Sequence, residues 1–213
     1  MLAVDVFELD VDHESPPIEY ETTTTLDSFL IQTMNEEDSR LTPKQQTQLA
    51  VDIASSVLQL AGTRWCELVW NKRKIHFLVR GTTVSNTKMS PPFVKMPIEP
   101  HSKGDLLKAS APEPKAAILE LAILLLEIWH HKPLEAWMAK MGLPEADTVE
   151  TRRIAAIKWL EMTSERLPPN HLLAIEGCLA ICSGRLRNWD EHEFRKQYCE
   201  NIIMPLQENC RAW

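Results

Sequence analysis

Glycine is scarce in this chain: six residues in 213, standing singly at positions 62, 81, 104, 142, 177 and 184. A phosphate-cradling loop needs closely spaced glycines so that backbone N–H groups can approach the phosphate. This spacing excludes both G-x-G-x-x-G and G-x-x-x-x-G-K, and there is also no G-x-S-x-G elbow and no H-E-x-x-H helix. Long apolar runs are missing too. The most apolar segment, ILELAILLLEIW at 118–129, is too short to span a bilayer and contains Glu120 and Glu127. It is expected to be a core helix. The five cysteines (Cys66, Cys178, Cys182, Cys199, Cys210) are odd in number and scattered. No basic n-region opens the chain, which turns acidic at Asp5, so a disulfide frame is not expected and a reducing, cytoplasmic location is.

Basic residues are nearly absent from the beginning of the chain. Residues 1–40 hold eleven acids and only Arg40 as a base, whereas the remainder holds 19 acids and 22 bases. The overall formal charge of -7 disfavours non-specific binding to nucleic acid or to an anionic membrane. Like charges repel, so the acidic leader reads as a solvated tail, with docking on the basic face of the body as the alternative. Hydrophobic residues at 44% and charged residues at 25% are ordinary for a globular chain, and the length allows one sizeable core. The expected division is an acidic N-terminal extension over 1–40 and a helical domain over 41–213.

The hydrophobic pattern is mainly helical. Val4, Val6, Leu9 and Val11 alternate well enough for an edge strand over 4–11, followed by an extended linker through Pro16-Pro17 and the threonine tract 22–25. Leu26, Phe29 and Leu30 predict a short helix. Thr42-Pro43-Lys44-Gln45 has the form of a capping box and opens a helix bearing Leu49, Ile53, Val57 and Leu60, stopped near Gly62. Two short apolar runs, 66–70 and 75–79, flank Asn71-Lys72-Arg73-Lys74 and predict a small hairpin. Six prolines between Gly81 and Pro114 predict a long loop, a feature often tied to function.

Helices are then expected over 115–131, from Pro133 to Gly142, from an Asp147/Glu150 cap with Ile154, Ile157 and Leu160 inward, and from Pro168-Pro169 through Cys182. A last helix, capped by Asp190 and Glu193, carries Phe194, Tyr198 and Ile202 and is expected to kink or end at Pro205.

Each candidate for chemistry has a plainer reading beside it. Cys178 and Cys182, one helical turn apart, could share a soft metal, but small thiols on a buried face are the favoured reading. His130-His131 diverge around a helix and chelate poorly; a cationic pair at a helix C-terminus is the expectation. Asp190-Glu191-His192-Glu193 reads as helix-start chemistry rather than a metal site. Lys72-Arg73-Lys74 reads as turn residues, with contact to an acidic partner as the alternative. Most of the seven tryptophans are expected in the core, with Trp213 the most exposed. No catalytic, cofactor-binding or metal residue is assigned, and no cofactor is expected.

One resemblance emerges from LDSFL at 26–30, LAVDIASSVLQLAGTRW at 49–65, KIHFLV at 74–79, PPFVKM at 91–96 and ILELAILLLEIWHHKPLEAW at 118–137. Together they resemble a fungal family of unknown function related to the protein-kinase C-lobe and found after prion-inhibition (HeLo-type) regions. The resemblance implies a mainly α, kinase-C-lobe-like helical domain with a small β-hairpin and an acidic N-terminal extension. It also implies that 42–61 matches the long helix before the catalytic loop and 116–131 the buried central helix. The departures matter for function. No His-Arg-Asp lies between Gly62 and Ile75, and Arg80-Gly81-Thr82 stands where Asp-Phe-Gly would follow the strand. Without base, metal ligand or phosphate cradle, phosphoryl transfer has nothing to stabilise its transition state. The expectation is a non-catalytic, pseudokinase-like protein-interaction or regulatory domain, with a protein partner and no membrane span. The alternative is an enzyme of another kind using a His/Cys/acid site that includes His130, His171 or His192.

Overall fold

The structure is a computed structural model of the 213-residue chain and describes residues 22–36, 40–60, 72–80, 88–89, 92–94, 114–146, 148–184, 189 and 191–212. The expected strand at 4–11, the run 66–70 and most of the 81–114 loop lie outside the described residues.

The threonine tract is not a linker. Thr22–Thr25 forms strand β1, which pairs antiparallel with β2 (Ile75–Arg80) from Thr22↔Val79 to Thr25↔His76. Threonine is β-branched and suits a pleated strand, so local preference and pairing agree. On the other edge of β2, β3 (Lys88–Met89) pairs at Val79 and Arg80, and β4 (Phe93–Val94) pairs at Ile75 and His76. Two short strands therefore interrupt the stretch read as loop. Helix α1 (Leu26–Asn35) follows β1 directly, with the Thr25 side chain accepting from the Ser28 N–H as N-cap. Leu26, Phe29, Leu30 and Thr33 are buried, so residues 22–35, counted above with the acidic extension, share the core of the body.

Helix α2 (Pro43–Leu60) begins as expected: the Thr42 N–H donates to Gln45 Oε1 at 2.9 Å, and the Gln45 N–H to Thr42 Oγ1 at 3.4 Å. Its buried stripe is Leu49, Ala50, Ile53, Ala54 and Val57. Helix α3 (Pro114–His130) is the central element. Every residue from Ala117 through Leu119 and from Leu121 through Ile128 is buried, as all-round apolarity requires. It packs chiefly against α6 (Pro169–Ser183), and also against α2 and α5 (Val149–Thr163).

A positive φ ends α3. His131 has φ 47, and the Lys132 N–H closes back on the Glu127 carbonyl at 3.2 Å, a helix stop usually built with glycine. Side-chain bonds hold this end of the helix. His131 Nε2 accepts the Leu41 N–H at 3.0 Å, and Gln46 Nε2 donates to the carbonyls of Ile128 and Trp129, both at 2.8 Å. Helix α4 (Leu134–Lys140) stops at Gly142, φ 66, in the same way.

Helix α5 departs from expectation in two respects. Its cap is Thr148 boxed with Thr151, and Asp147 of the expected Asp147/Glu150 pair lies outside the described residues. Its inward stripe is Ala155, Ala156, Trp159 and Leu160, while Ile154 is 45% exposed. The two alanines let the helix approach closely, and Trp159 stacks on Trp137 of α4 at 5.3 Å, so packing rather than residue hydrophobicity sets the phase.

Pro205 does not end the last helix. Helix α7 (His192–Tyr198) passes through a π-helical segment, Cys199–Ile203, into α8 (Met204–Arg211). Proline has no N–H for the Asn201 carbonyl, and the widened turn absorbs the mismatch. Gly177 lies against that carbonyl: a Cβ there would fall 2.6 Å from the Asn201 oxygen. Tyr198 Oη donates to the Ala54 carbonyl at 2.8 Å, and Asn209 Nδ2 to Thr47 Oγ1 at 3.1 Å, tying this end of the chain to α2. Among the described residues, no helix is long and apolar enough to cross a membrane.

Candidate functional site

Lys72, read above as a turn residue, is buried. It sits in the turn before β2, where its carbonyl accepts the Asp27 N–H at 3.1 Å and so fixes the turn to the start of α1. Its side chain passes inward, and Nζ donates to Glu127 Oε1 and to Glu135 Oε2. Glu127 lies in the last turn of α3 and Glu135 in the first turn of α4. Arg73 and Lys74 point to solvent, with Arg73 Nε 3.4 Å from Asp27 Oδ2.

The sequence between α3 and α4 explains the position of Glu127. Pro133, the N-cap of α4, offers no side-chain acceptor, so the first N–H groups of α4 need another partner. Glu127 supplies it, Oε1 accepting the Leu134 N–H at 2.7 Å. A carboxylate at a helix N-terminus is also favoured by the helix dipole. From α5, Arg152 forms a two-pronged pair with Glu120, Nε to Oε1 at 2.7 Å and Nη2 to Oε2 at 2.8 Å, and lies 3.4 Å from Glu135 Oε1. Four segments thus converge on one ion-pair network around a cleft of about 290 Å³, lined by Lys72, Arg73, Glu120, Leu124, Glu127, Glu135 and Arg152.

Burial sets the electrostatics. The Glu127 side chain is 1% exposed, and desolvation raises its carboxyl to about 7 despite the Lys72 ammonium. Burial works to lower Lys72, but Glu127 and Glu135 together outweigh it and hold the ammonium above the ordinary lysine range. Glu135 is about half exposed; burial would raise it, and the bonds from Lys72 prevail and lower it. Desolvation likewise opposes the charge of Arg152, and Glu120 more than restores it. The arrangement can hold a carboxylate that titrates near neutrality beside a permanently charged lysine.

The residues singled out by sequence are dispersed. His130 Nε2 is 3.1 Å from Thr163 Oγ1, and its ring stacks on Trp159. His171 Nε2 is 3.1 Å from the Leu125 carbonyl, its ring leans on Trp129, and Nδ1 has no partner although buried. Burial lowers all three of His130, His131 and His171 to about 4, so the expected cationic pair at the end of α3 is neutral instead. The sequence placed that pair correctly at a helix end but could not show that neighbouring elements cover it.

Cys178 and Cys182 are buried on α6, and burial pushes both thiols up, Cys182 to about 12. His192 lies in the first turn of α7, where Glu191 is the N-cap without a side-chain cap bond and Glu193 pairs with Gln197. Asp190 and Trp213 lie outside the described residues. Among the described residues, no group of three or more His, Cys, Asp or Glu is arranged to hold a metal. Trp137, Trp159 and Trp189 are buried and Trp129 is partly so.

What sequence reasoning missed was the Lys72 network. The available signal was weak: two glutamates inside an otherwise apolar helix need partners when that helix is buried. A family model matches residues 6–213, that of DUF7580, a domain of unknown function. No curated protein and no solved structure matches the chain.

Proposed function

We propose a non-catalytic, protein-interaction or regulatory role for this chain, which belongs to the DUF7580 family, a domain of unknown function. The observation that carries the reading is that five of the reactive side chains among the described residues are committed to structure. His130, His131 and His171 are neutral and bonded to three different elements, and Cys178 and Cys182 are buried with raised thiols. Nucleophilic or general-base catalysis needs such groups side by side and accessible. The charged cleft is lined instead by lysine, arginine and glutamate, paired with one another.

The order of a long amphipathic helix, a short strand and a buried central helix supports the finer reading, a pseudokinase-like domain similar to a kinase C-lobe. A place in fungal self-recognition or defence signalling belongs to that finer reading and rests on the sequence resemblance alone. Thermal-shift measurements with Mg-ATP and with zinc, together with metal analysis of the purified chain, test the main claim. No stabilisation by either and no stoichiometric metal is the expected result. Stabilisation that grows with nucleotide, or bound zinc, would return the chain to the alternative, an enzyme using a His/Cys/acid site. Affinity capture from the source cells should recover a specific protein; an inert chain with no partner counts against the proposal.

A further inference from the structure

Three histidines meet the end of α3, and the bonds around them suit uncharged rings. His131 Nε2 accepts the Leu41 N–H at 3.0 Å, so this nitrogen must present a lone pair. His171 Nε2 lies 3.1 Å from the Leu125 carbonyl, which can only accept, so Nε2 carries the proton. Its buried Nδ1 then has no partner for a second one. His130 Nε2 faces Thr163 Oγ1, whose own hydrogen is donated to the Trp159 carbonyl, so Nε2 is again the donor.

The surrounding charges oppose protonation as well. Those acting most on His130 are cationic: His171 of α6, Arg166 from the 3-10 turn after α5, Lys132 and His131. Arg40, which precedes Leu41, opposes a charge on His131. Glu127, one turn earlier on α3, uses Oε1 for Lys72 and the Leu134 N–H.

We propose that the contact between the end of α3 and the start of α2 is an acid-released clasp: protonation of His131 breaks its bond to Leu41, and the start of α2 parts from α3. This inference goes beyond the role proposed above and stands without it. A proton on His131 Nε2 would set two N–H groups head to head and place a cation beside Arg40. What then remains of the clasp is Gln46, whose Nε2 donates to the Ile128 and Trp129 carbonyls. The other side of the same helix end responds in the opposite direction. Glu127, raised to about 7 by burial, loses its charge in acid and with it the cost of burying that charge. The join of α3 to α4 and to the Lys72 turn therefore gains where the join to α2 loses, and the opening is local.

Burial holds His131 at about 4 in the closed clasp against an ordinary 6.5. The closed value lies below the open one, so the clasp is intact above about pH 6.5 and loosens as pH falls towards about 4. From about pH 7 to about pH 5 the equilibrium constant for opening rises about twentyfold.

The test is amide hydrogen exchange of the full chain by NMR at those two pH values, each rate taken relative to unstructured peptide at the same pH. Protection of the Leu41 amide should fall about twentyfold in the wild type, and protection of the Leu134 amide, bonded to Glu127, should not fall with it. In His131→Gln, Oε1 accepts at a similar reach without titrating, so the fall at Leu41 should stay below about threefold. His131→Asn suits the positive φ but lacks the reach of Nε2, so Leu41 should be weakly protected at both pH values. The His131 ring of the wild type should titrate well below 6.5. A midpoint at the ordinary value would overturn the inference, as would an equal fall at Leu41 in wild type and His131→Gln. Loss of protection at Leu41 and Leu134 together would also sink it, because the whole chain would then be unfolding. If His131→Gln fails to fold, the asparagine variant decides: a full twentyfold fall at Leu41 there refutes the clasp.

Discussion

Replacing Lys72 by methionine removes the ammonium from beneath two glutamates while keeping most of the side-chain volume. Breaking a buried ion pair by deleting one partner costs about 3–5 kcal/mol, and Glu127 is the partner left behind. The loss depends on pH because Glu127 can discharge by taking up a proton. Its carboxyl stands at about 7 in the folded protein against an ordinary 4.5. At about 1.4 kcal/mol per unit, ionised Glu127 already carries a cost of roughly 3 kcal/mol.

The folded value lies above the unfolded one, so the corresponding stability is fully present below about pH 4.5 and is lost as pH rises through about 7. Without Lys72, the largest influence opposing burial is gone and the folded value rises further. The variant should therefore trail the wild type by about 3–5 kcal/mol above about pH 8. Near pH 5, where Glu127 is protonated in both proteins, the gap should shrink to about 1 kcal/mol, the worth of the partly exposed pair with Glu135. Urea unfolding followed by tryptophan fluorescence at the two pH values measures both gaps. A gap of the same size at both would refute the reasoning. Adding Glu127→Leu should restore most of the loss, less about 1 kcal/mol for the Leu134 N–H left without its acceptor.

Two further perturbations probe the packing of the helices. Gly177→Ala places a Cβ 2.6 Å from the Asn201 oxygen, and the forced separation of α6 from the π-helical segment should cost about 1–3 kcal/mol by denaturant titration. A neutral outcome would mean that the two helices yield freely there. His131→Ala keeps the positive φ but removes the acceptor of the Leu41 N–H, whereas His131→Gly removes the acceptor and the backbone strain together. Alanine should therefore be less stable than glycine by about 1 kcal/mol in thermal unfolding. Equal stabilities would place the whole role of His131 in its side chain.

Much of the helical architecture was legible because its signals are local. The Thr42/Gln45 box, the all-round apolarity of 118–129, the Gly142 stop and the Pro168-Pro169 start each depend on a few neighbouring residues, and each element lies where those residues put it. The failures share one cause. Thr22–Thr25 became a strand because β2 offered an edge, and Ile154 turned outward because Trp159 and two alanines fitted the neighbouring helices better. Pro205 stayed inside a helical path because Gly177 leaves room for the carbonyl that proline cannot serve.

The same division holds for the candidate site. The sequence by itself determined that the chain has no phosphate loop and no kinase catalytic motifs, and that its most apolar helix would carry two glutamates into the core. It could not determine what meets those glutamates. Lys72 is 55 residues from Glu127 in the chain and Arg152 is 32 from Glu120, separations at which no periodicity or capping rule operates. Only the tertiary structure brings them together. Burial there changes their chemistry, making an ordinary-looking turn lysine a buried partner and raising one glutamate to the edge of neutrality.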